Sequence, residues 1–332
     1  MTVPLLQVER LVISLPTPDG GRVLAVREVS FDVGPGEIVG IAGESGCGKT
    51  LTALAVMGLL PPGGRATGRI GFDGRDLLAL RPSAHRAMLG RDIAMVFQDP
   101  MTALHPMLSV ERQMTEHLRH HRQLSARAAR DRAVEMLDLV RIPDPGGALR
   151  RYPHQFSGGM RQRVAIAMAL VCGPRLLIAD EPTTALDVTV QAGILRLLHR
   201  LRDELGLSMI VITHDMGVMS ALADRVGVMY AGRIVEEGPR PLVLTRPRHP
   251  YTAGLLAALP DAGPDGEGAQ ASRLQALPGA PPALADLPEG CPFLPRCVRS
   301  RPACTGAEPP LRPVAPGHAI ACPVDPFAQG AA

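Results

Sequence analysis

The sequence of 332 residues lacks the features of membrane-spanning, disulfide-bonded and strongly basic proteins. No uncharged apolar run approaches the ~18–20 residues that a helix needs to cross a bilayer. The net charge is only +3, which is too small to favour nucleic acid as a partner. Six cysteines are too few for a disulfide scaffold and indicate a reducing compartment. The N-terminus shows no basic segment before an apolar core, so we expect no signal peptide and a cytosolic chain.

Asparagine is absent, and lysine occurs once, at Lys49, among 35 basic residues. Lysine and asparagine both have A-rich codons, so their scarcity indicates a G+C-rich coding sequence. Under such a bias arginine replaces lysine wherever either side chain serves. The single lysine therefore marks a place where a guanidinium group does not fit.

Short apolar segments alternate with helical patterns, which predicts an α/β fold with a mostly parallel sheet. Strands are predicted at 5–13, 23–33, 38–42, 92–97, 176–179 and 209–213, and helices at 50–60, 110–140 and 188–205. The composition changes near residue 260, because residues 261–332 hold 14 prolines and four of the six cysteines. We expect no regular helical or sheet domain in this extension, which begins with a linker at 260–290.

Residues 43–50 fit the phosphate-binding pattern G-x-x-x-x-G-K-[ST] between a predicted strand and a predicted helix. Such a loop aims successive backbone N–H groups at an anion, and the helix dipole adds to the attraction. Lys49 would reach the β- and γ-phosphates, and the Thr50 hydroxyl would bind Mg²⁺. A chance glycine-rich turn is the alternative. The predicted nucleotide-binding residues here are Gly43, Glu44, Ser45, Gly46, Cys47, Gly48, Lys49 and Thr50.

Two further segments point to the same chemistry. Asp180 and Glu181 directly follow the apolar strand at 176–179, at the sheet edge where α/β proteins bind ligands. Asp180 would hold Mg²⁺, and Glu181 would polarise the attacking water. Ser157-Gly158-Gly159 opens another helix and offers a second anion cradle, unless Ser157 is a plain helix cap. One nucleotide does not need two cradles in one chain, so we expect a dimer in which this segment closes on the partner's nucleotide.

With three more motifs, these segments resemble the ATP-binding-cassette (ABC) ATPases over about residues 5–245. The additional motifs are Gln98 in Val-Phe-Gln-Asp-Pro, Asp187 in Ala-Leu-Asp and His214 in Thr-His-Asp. The resemblance implies a P-loop NTPase fold of the ABC type at residues 1–260, with a helical signature subdomain at about 100–172. It also implies ATP and Mg²⁺ as ligands.

The resemblance also implies roles for single residues. Glu181, His214 and Gln98 would be catalytic, with His214 bonding the γ-phosphate and Gln98 sensing it. Thr50, Gln98 and Asp180 would bind Mg²⁺. ATP would be contacted across a dimer interface by Ser157, Gly158 and Gly159, with Asp187 lining that interface. One departure is that Val23 stands where such ATPases usually place an aromatic ring against adenine.

The match narrows to the oligopeptide/dipeptide (and nickel) importer ATPases. The segments that carry this resemblance are residues 152–164, residues 179–189 and His249-Pro250-Tyr251-Thr252. The family implies an ATPase that energises peptide uptake from the cytoplasmic face of the membrane. Its partners would be a distinct second ATPase subunit, two membrane permeases and, indirectly, an extracytoplasmic binding protein. A nickel or other small-solute importer, and a soluble ABC ATPase, are the alternatives.

The extension carries Cys291, Cys297, Cys304 and Cys322 without any C-x-x-C pair. This spacing disfavours a zinc ribbon. Four thiolates can hold a [4Fe–4S] cluster, and family members with the same cysteine pattern carry one. Bound zinc and free thiols are the alternatives. Because these cysteines lie far in sequence from the phosphate loop, we expect a structural site with little effect on ATP binding.

Overall fold

The structure is a computed structural model that describes residues 3–99, 103–258, 277–325 and 327. The strands in these ranges are β1 Leu6–Pro16, β2 Arg22–Val33, β3 Ile38–Ala42, β4 Arg65–Phe72, β5 Arg75–Asp76, β6 Ile93–Val96, β7 Leu176–Asp180, β8 Ser208–Thr213, β9 Arg225–Tyr230, β10 Arg233–Pro239, β11 Arg312–Ala315 and β12 His318–Ile320. The helices are α1 Lys49–Val56, α2 Pro82–Met88, α3 Val110–Arg122, α4 Ala126–Leu139, α5 Pro145–Ala148, α6 Gly158–Leu170, α7 Val188–Leu205, α8 Met216–Leu222, α9 Arg240–Thr245 and α10 Pro250–Ala257.

The central sheet has eight strands in the order β11-β12-β10-β9-β3-β8-β7-β6. Its β9, β3, β8, β7 and β6 strands are parallel neighbours, which confirms the predicted parallel α/β core. Every residue of β3, β7 and β8 is buried, as expected for strands covered on both faces. The carboxyl ends of these strands share one edge, and the residues of the candidate site follow those ends.

A second, antiparallel sheet of order β2-β1-β4-β5 lies beside the central one. The two sheets share an apolar core, in which Val26 of β2 and Ile41 of β3 belong to one buried cluster. The segment predicted to be helical at 110–140 forms two helices, because Gln123 ends α3 with a positive φ of 51°. Ser125 then caps α4 by accepting a hydrogen bond from the Ala128 N–H.

The described part of the extension packs on the central sheet and joins it. Its strand β12 pairs with β10, and β11 pairs with β12. The extension thus adds two short strands to the central sheet, and the expectation that it forms no regular helical or sheet domain stays a prediction. A buried hydrogen bond joins the two parts at this junction, since His318 Nε2 lies 2.7 Å from Glu236 Oε1. The predicted boundary at residues 260/261 lies outside the described residues, and the domain limits stay a prediction.

Candidate functional site

The phosphate loop connects β3 to α1 and follows a path that only glycine permits at two points. Gly48 has a φ of 107°, and a Cβ there would lie 2.9 Å from the carbonyl oxygen of Ala25. A Cβ on Gly43 would lie only 2.2 Å from the carbonyl oxygen of Met229. Side chains at either position would push the loop away from the sheet. The backbone therefore curls tightly around the start of α1, as an anion cradle requires.

Lys49 is the first residue of α1, and its side chain is buried under the loop. The ammonium Nζ donates hydrogen bonds to the carbonyl oxygens of Gly43 at 2.7 Å and Glu44 at 2.9 Å. These contacts hold the positive charge inside the concave side of the loop. A compact ammonium with three donors can keep a loop contact and still reach phosphate oxygens, which a planar guanidinium cannot do in this space.

Asp180 ends β7 and is buried beside the loop. The Thr50 side chain bonds to Asp180, and burial raises the pKa of the Asp180 carboxyl. Among the described residues, its buried Oδ1 atom has no hydrogen-bond partner. Mg²⁺ prefers hard oxygen ligands such as carboxylates. The unsatisfied oxygen beside the Thr50 hydroxyl therefore fits a Mg²⁺ site.

Glu181 has a positive φ of 49° and lies at the centre of a hydrogen-bond network. Its Oε1 accepts from the backbone N–H of His214 at 3.1 Å and lies 2.8 Å from the ring Nδ1. Its Oε2 accepts from the hydroxyls of Thr184 at 2.8 Å and Thr213 at 3.2 Å. The network fixes the carboxylate while the His214 side chain stays mostly exposed. A held carboxylate next to an accessible imidazole suits proton transfer from water.

Gln98 lies two residues beyond the end of β6 and is exposed. Val96 of β6 pairs with Ala179 of β7, in parallel. Gln98 and Asp180 therefore leave the sheet at the same edge, and their sharing of Mg²⁺ stays a prediction.

Ser157 and Asp187 are both exposed helix caps. Ser157 accepts from the Met160 N–H at the start of α6, and Asp187 accepts from the Val190 N–H at the start of α7. Gly159 brings the two helices close, since a Cβ there would lie 2.5 Å from Val190 Cγ1. The caps explain the local folding of both segments and leave their roles toward a second subunit a prediction.

Sequence reasoning missed a link between the phosphate loop and the extension. The Glu44 carboxylate is paired with the guanidinium of Arg296, and its backbone N–H donates to the Tyr251 hydroxyl at 2.9 Å. The position of Arg296 next to Cys297 was the available signal, but nothing local connects it with residue 44.

The four cysteines of the extension lie in one region and form no disulfides. Burial, with smaller contributions from the other three thiols, raises the pKa of the Cys291 thiol to about 11. The backbone N–H groups of Phe293 and Arg299 bond to the sulfurs of Cys291 and Cys297. The chemistry of buried thiols with amide donors suits a metal–sulfur site. In the part of the chain that the structure describes, however, no three His, Cys, Asp or Glu residues are grouped as metal ligands. The geometry thus gives the predicted iron–sulfur cluster no support.

Two family models match the chain. One describes the ABC transporter and covers residues 26–184, and the other describes the C-terminal region of oligopeptide/dipeptide transporters and covers residues 235–304. The chain is 49% identical to the dipeptide transport ATP-binding protein DppD of Bacillus subtilis, over 96% of this chain and 93% of DppD. It is also 49% identical to the oligopeptide transport ATP-binding protein OppD of Salmonella typhimurium, over 96% of this chain and 93% of OppD.

Solved structures show the same architecture. The dimeric, ADP- and Pi-bound ATP-binding cassette MJ0796 superposes with a TM-score of 0.63 at 27% identity, over 71% of this chain and 98% of that one. The cbiO1 protein of Clostridium perfringens, part of the transporter complex cbiONQ, gives a TM-score of 0.61 at 30% identity, over 73% of this chain and 91% of that one. No helix within the described ranges has the length and apolar character needed to cross a membrane.

Proposed function

Because the chain belongs to the ABC transporter family of ATP-binding proteins, we propose that it is the ATP-hydrolysing subunit of an importer of dipeptides or oligopeptides. The near full-length match to dipeptide and oligopeptide transport ATP-binding proteins supports dipeptides or oligopeptides as the transported substrates. The Lys49 ammonium and the held Glu181 carboxylate supply the chemistry, which is phosphate binding and activation of water. The relatives reported above are named for dipeptide or oligopeptide transport, which favours a peptide importer over the nickel-importer and soluble-ATPase alternatives.

The proposed mechanism follows from the residues of the site. The loop at 43–50 binds the phosphates, and Lys49 neutralises their charge. Thr50, Asp180 and Gln98 would hold Mg²⁺, which would offset the negative charge of the phosphates. Glu181 accepts a proton from the attacking water.

His214 completes the mechanism by contacting the γ-phosphate. Its side chain is mostly exposed, and its Nδ1 is anchored on Glu181. A ring held through Nδ1 can present Nε2 to the nucleotide. The same contact orients the carboxylate that takes the proton from water.

We further propose that the chain works on the cytoplasmic face of the membrane with a second ATPase subunit and two permeases. An apolar groove of about 260 Å³ beside Gln98 supports a permease contact, and it is lined in part by Met95, Phe97 and Met168. Met107 nearby in sequence is 77% exposed. Co-expression with the permeases should yield a complex whose ATPase activity rises when peptide-loaded binding protein is added. ATPase activity that does not change when the peptide-loaded binding protein is added would contradict the assignment as an importer.

The second-subunit proposal predicts a separation of binding from turnover. A Ser157→Arg subunit should bind its own ATP normally, because Ser157 would act on the nucleotide of the partner. It should reduce hydrolysis in the opposite site by at least about tenfold, since a bulky cation fills the second cradle. ATP affinity and single-site turnover in mixed dimers measure the two effects separately.

Ser125→Arg is the matched control, because Ser125 is also an exposed serine cap, with a 3.2 Å bond to the Ala128 N–H. It should leave turnover unchanged. Loss of ATP affinity in the mutant subunit's own site would exclude the proposed action across the dimer. Equal losses of turnover in Ser157→Arg and Ser125→Arg would show that the effect comes from the lost helix cap alone.

We also propose that Cys291, Cys297, Cys304 and Cys322 hold a [4Fe–4S] cluster. The spacing of the four cysteines and the backbone amide donors to Cys291, Cys297 and Cys322 support this proposal, although the described residues show no preformed group of metal ligands. The cluster would cross-link a proline-rich segment that has few regular hydrogen bonds.

Protein purified without oxygen should then be brown, with about four irons per chain and absorbance near ~400 nm. Cys304→Ser should lose the iron, whereas Cys172→Ser, which removes a buried cysteine of the helical region, should keep it. Colourless protein with one zinc per chain, or iron that survives Cys304→Ser, would contradict the cluster.

A further inference from the structure

The phosphate loop is held from outside by a residue of the C-terminal extension. Arg296 donates from Nη1 to Glu44 Oε2 at 2.7 Å and from Nη2 to Glu44 Oε1 at 2.9 Å. The two residues are 252 positions apart, and only 4% of the Arg296 side chain is exposed. A fork of two parallel hydrogen bonds fixes both the position and the orientation of the carboxylate.

Arg296 is itself held on its other sides. Its Nε donates to the carbonyl oxygen of Pro278 at 2.8 Å. The guanidinium carbon lies 5.8 Å from the ring centre of Tyr230 and 5.9 Å from that of Phe293. Cation–π contacts and the carbonyl bond leave the guanidinium one orientation, which faces Glu44. The extension thus presents a rigid cation to the loop.

Glu44 connects Arg296 to Lys49, the lysine that would bind the nucleotide. Its backbone N–H donates to the Tyr251 hydroxyl at 2.9 Å, and its carbonyl oxygen accepts from Lys49 Nζ at 2.9 Å. The peptide groups on both sides of Glu44 are therefore fixed. A shift of Glu44 would move a partner of the Lys49 ammonium and change the curl of the loop.

We propose that Arg296 is a positioning residue for ATP binding, which makes the extension part of the nucleotide site. The inference rests on the proposed function, since it takes the loop to bind ATP. Without Arg296, the partly buried Glu44 carboxylate would remain uncompensated beside the phosphate loop. Its negative charge would then repel the phosphates of ATP in a poorly solvated environment.

Removing the charge of Arg296 alone, and then together with that of Glu44, distinguishes a positioning role in ATP binding from simple stabilisation of the extension. In the full chain, Arg296→Gln should weaken ATP binding about tenfold, and the double variant Arg296→Gln with Glu44→Gln should return to within about threefold of the wild type. Isothermal titration with ATP and with Mg²⁺-ATP measures both. The kcat at saturating ATP should stay within about twofold, because the Glu181 network is untouched.

Glu308→Gln is the matched control. Glu308 forms a similar two-bond ion pair between the extension and the ATPase core, with Arg27 at 2.8 and 2.9 Å, and neither residue of this pair bonds to Glu44 or Lys49. Its loss should leave ATP affinity unchanged. If Arg296→Gln lowers the thermal midpoint too far for titration, Arg296→Lys keeps the charge but loses the fork, and it should bind ATP about threefold more weakly.

The inference is overturned if Arg296→Gln, or Arg296→Lys in its place, binds ATP as the wild type does. It is also overturned if the double variant is as weak as Arg296→Gln, because a purely structural role gives no rescue by Glu44→Gln. In the same assay, Lys49→Ala tests the proposed function separately. If Lys49→Ala abolishes ATP binding but Arg296→Gln does not weaken it, the loop remains the nucleotide site and only the role of Arg296 is excluded.

Discussion

Glu181→Gln should bind ATP with nearly wild-type affinity and hydrolyse it about 10²–10⁴-fold more slowly. The glutamine keeps the size of the side chain and can still bond to the hydroxyls of Thr184 and Thr213. It cannot take a proton from water. The variant should therefore accumulate an ATP-bound dimer, because binding proceeds and the chemical step does not. Single-turnover hydrolysis and size-exclusion chromatography with ATP measure the two effects.

Glu37→Gln is the control for this substitution. Glu37 precedes β3, at the opposite edge of the parallel sheet, where it accepts a hydrogen bond from the Gly34 N–H. Its amide variant should hydrolyse ATP at the wild-type rate. Wild-type turnover in Glu181→Gln would show that another group takes the proton and would remove Glu181 from the catalytic set.

Lys49→Ala should abolish ATP binding, with a loss of at least about 100-fold in affinity. The phosphates lose their one buried ammonium, and each hydrogen bond to a charged group contributes about 1.5–3 kcal/mol. The carbonyl oxygens of Gly43 and Glu44 lose their donor as well, so the empty loop also loses internal support. Equilibrium binding of a fluorescent ATP analogue measures the affinity, and circular dichroism checks that the fold persists.

Lys49→Arg tests why this is the only lysine of the chain. The side chain is 7% exposed and ends between two backbone carbonyl groups, where a planar guanidinium has no room. We therefore expect Lys49→Arg to lose most of the ATP affinity although it keeps the charge. ATP binding by Lys49→Arg at the wild-type level would mean that only the charge matters. Binding by Lys49→Ala at that level would exclude the loop as the phosphate site.

The parts of the site that follow a strand were predictable from sequence. Asp180 and Glu181 sit at the end of a buried strand, and parallel pairing of β7 with β6 and β8 brings them to one edge with Gln98 and His214. Local patterns contain this information, because strand direction and the position after the strand decide where a side chain emerges. The phosphate loop was predictable for the same reason.

Contacts between distant segments were not predictable in this way. The pairing of β12 with β10 and the bonds from Arg296 to Glu44 depend on how the extension folds back over the core. No periodicity or residue spacing in the sequence indicates that the extension folds back over the core. The expectation that the cysteine-bearing extension has little effect on ATP binding stays a prediction, and the proposed role of Arg296, which directly precedes Cys297 and contacts the loop, predicts the opposite. Disorder introduced by Cys304→Ser should reach the nucleotide site by this route.

ATP-driven peptide uptake by a reconstituted complex tests the central claim most directly. Vesicles would contain the permeases, this chain and the second ATPase, with ATP inside and binding protein with labelled peptide outside. We expect uptake that requires enclosed ATP and falls to the level of ATP-free vesicles when the chain carries Glu181→Gln. Equal uptake without ATP, or undiminished uptake with Glu181→Gln, would contradict the assignment of this chain as the ATPase subunit that energises peptide import.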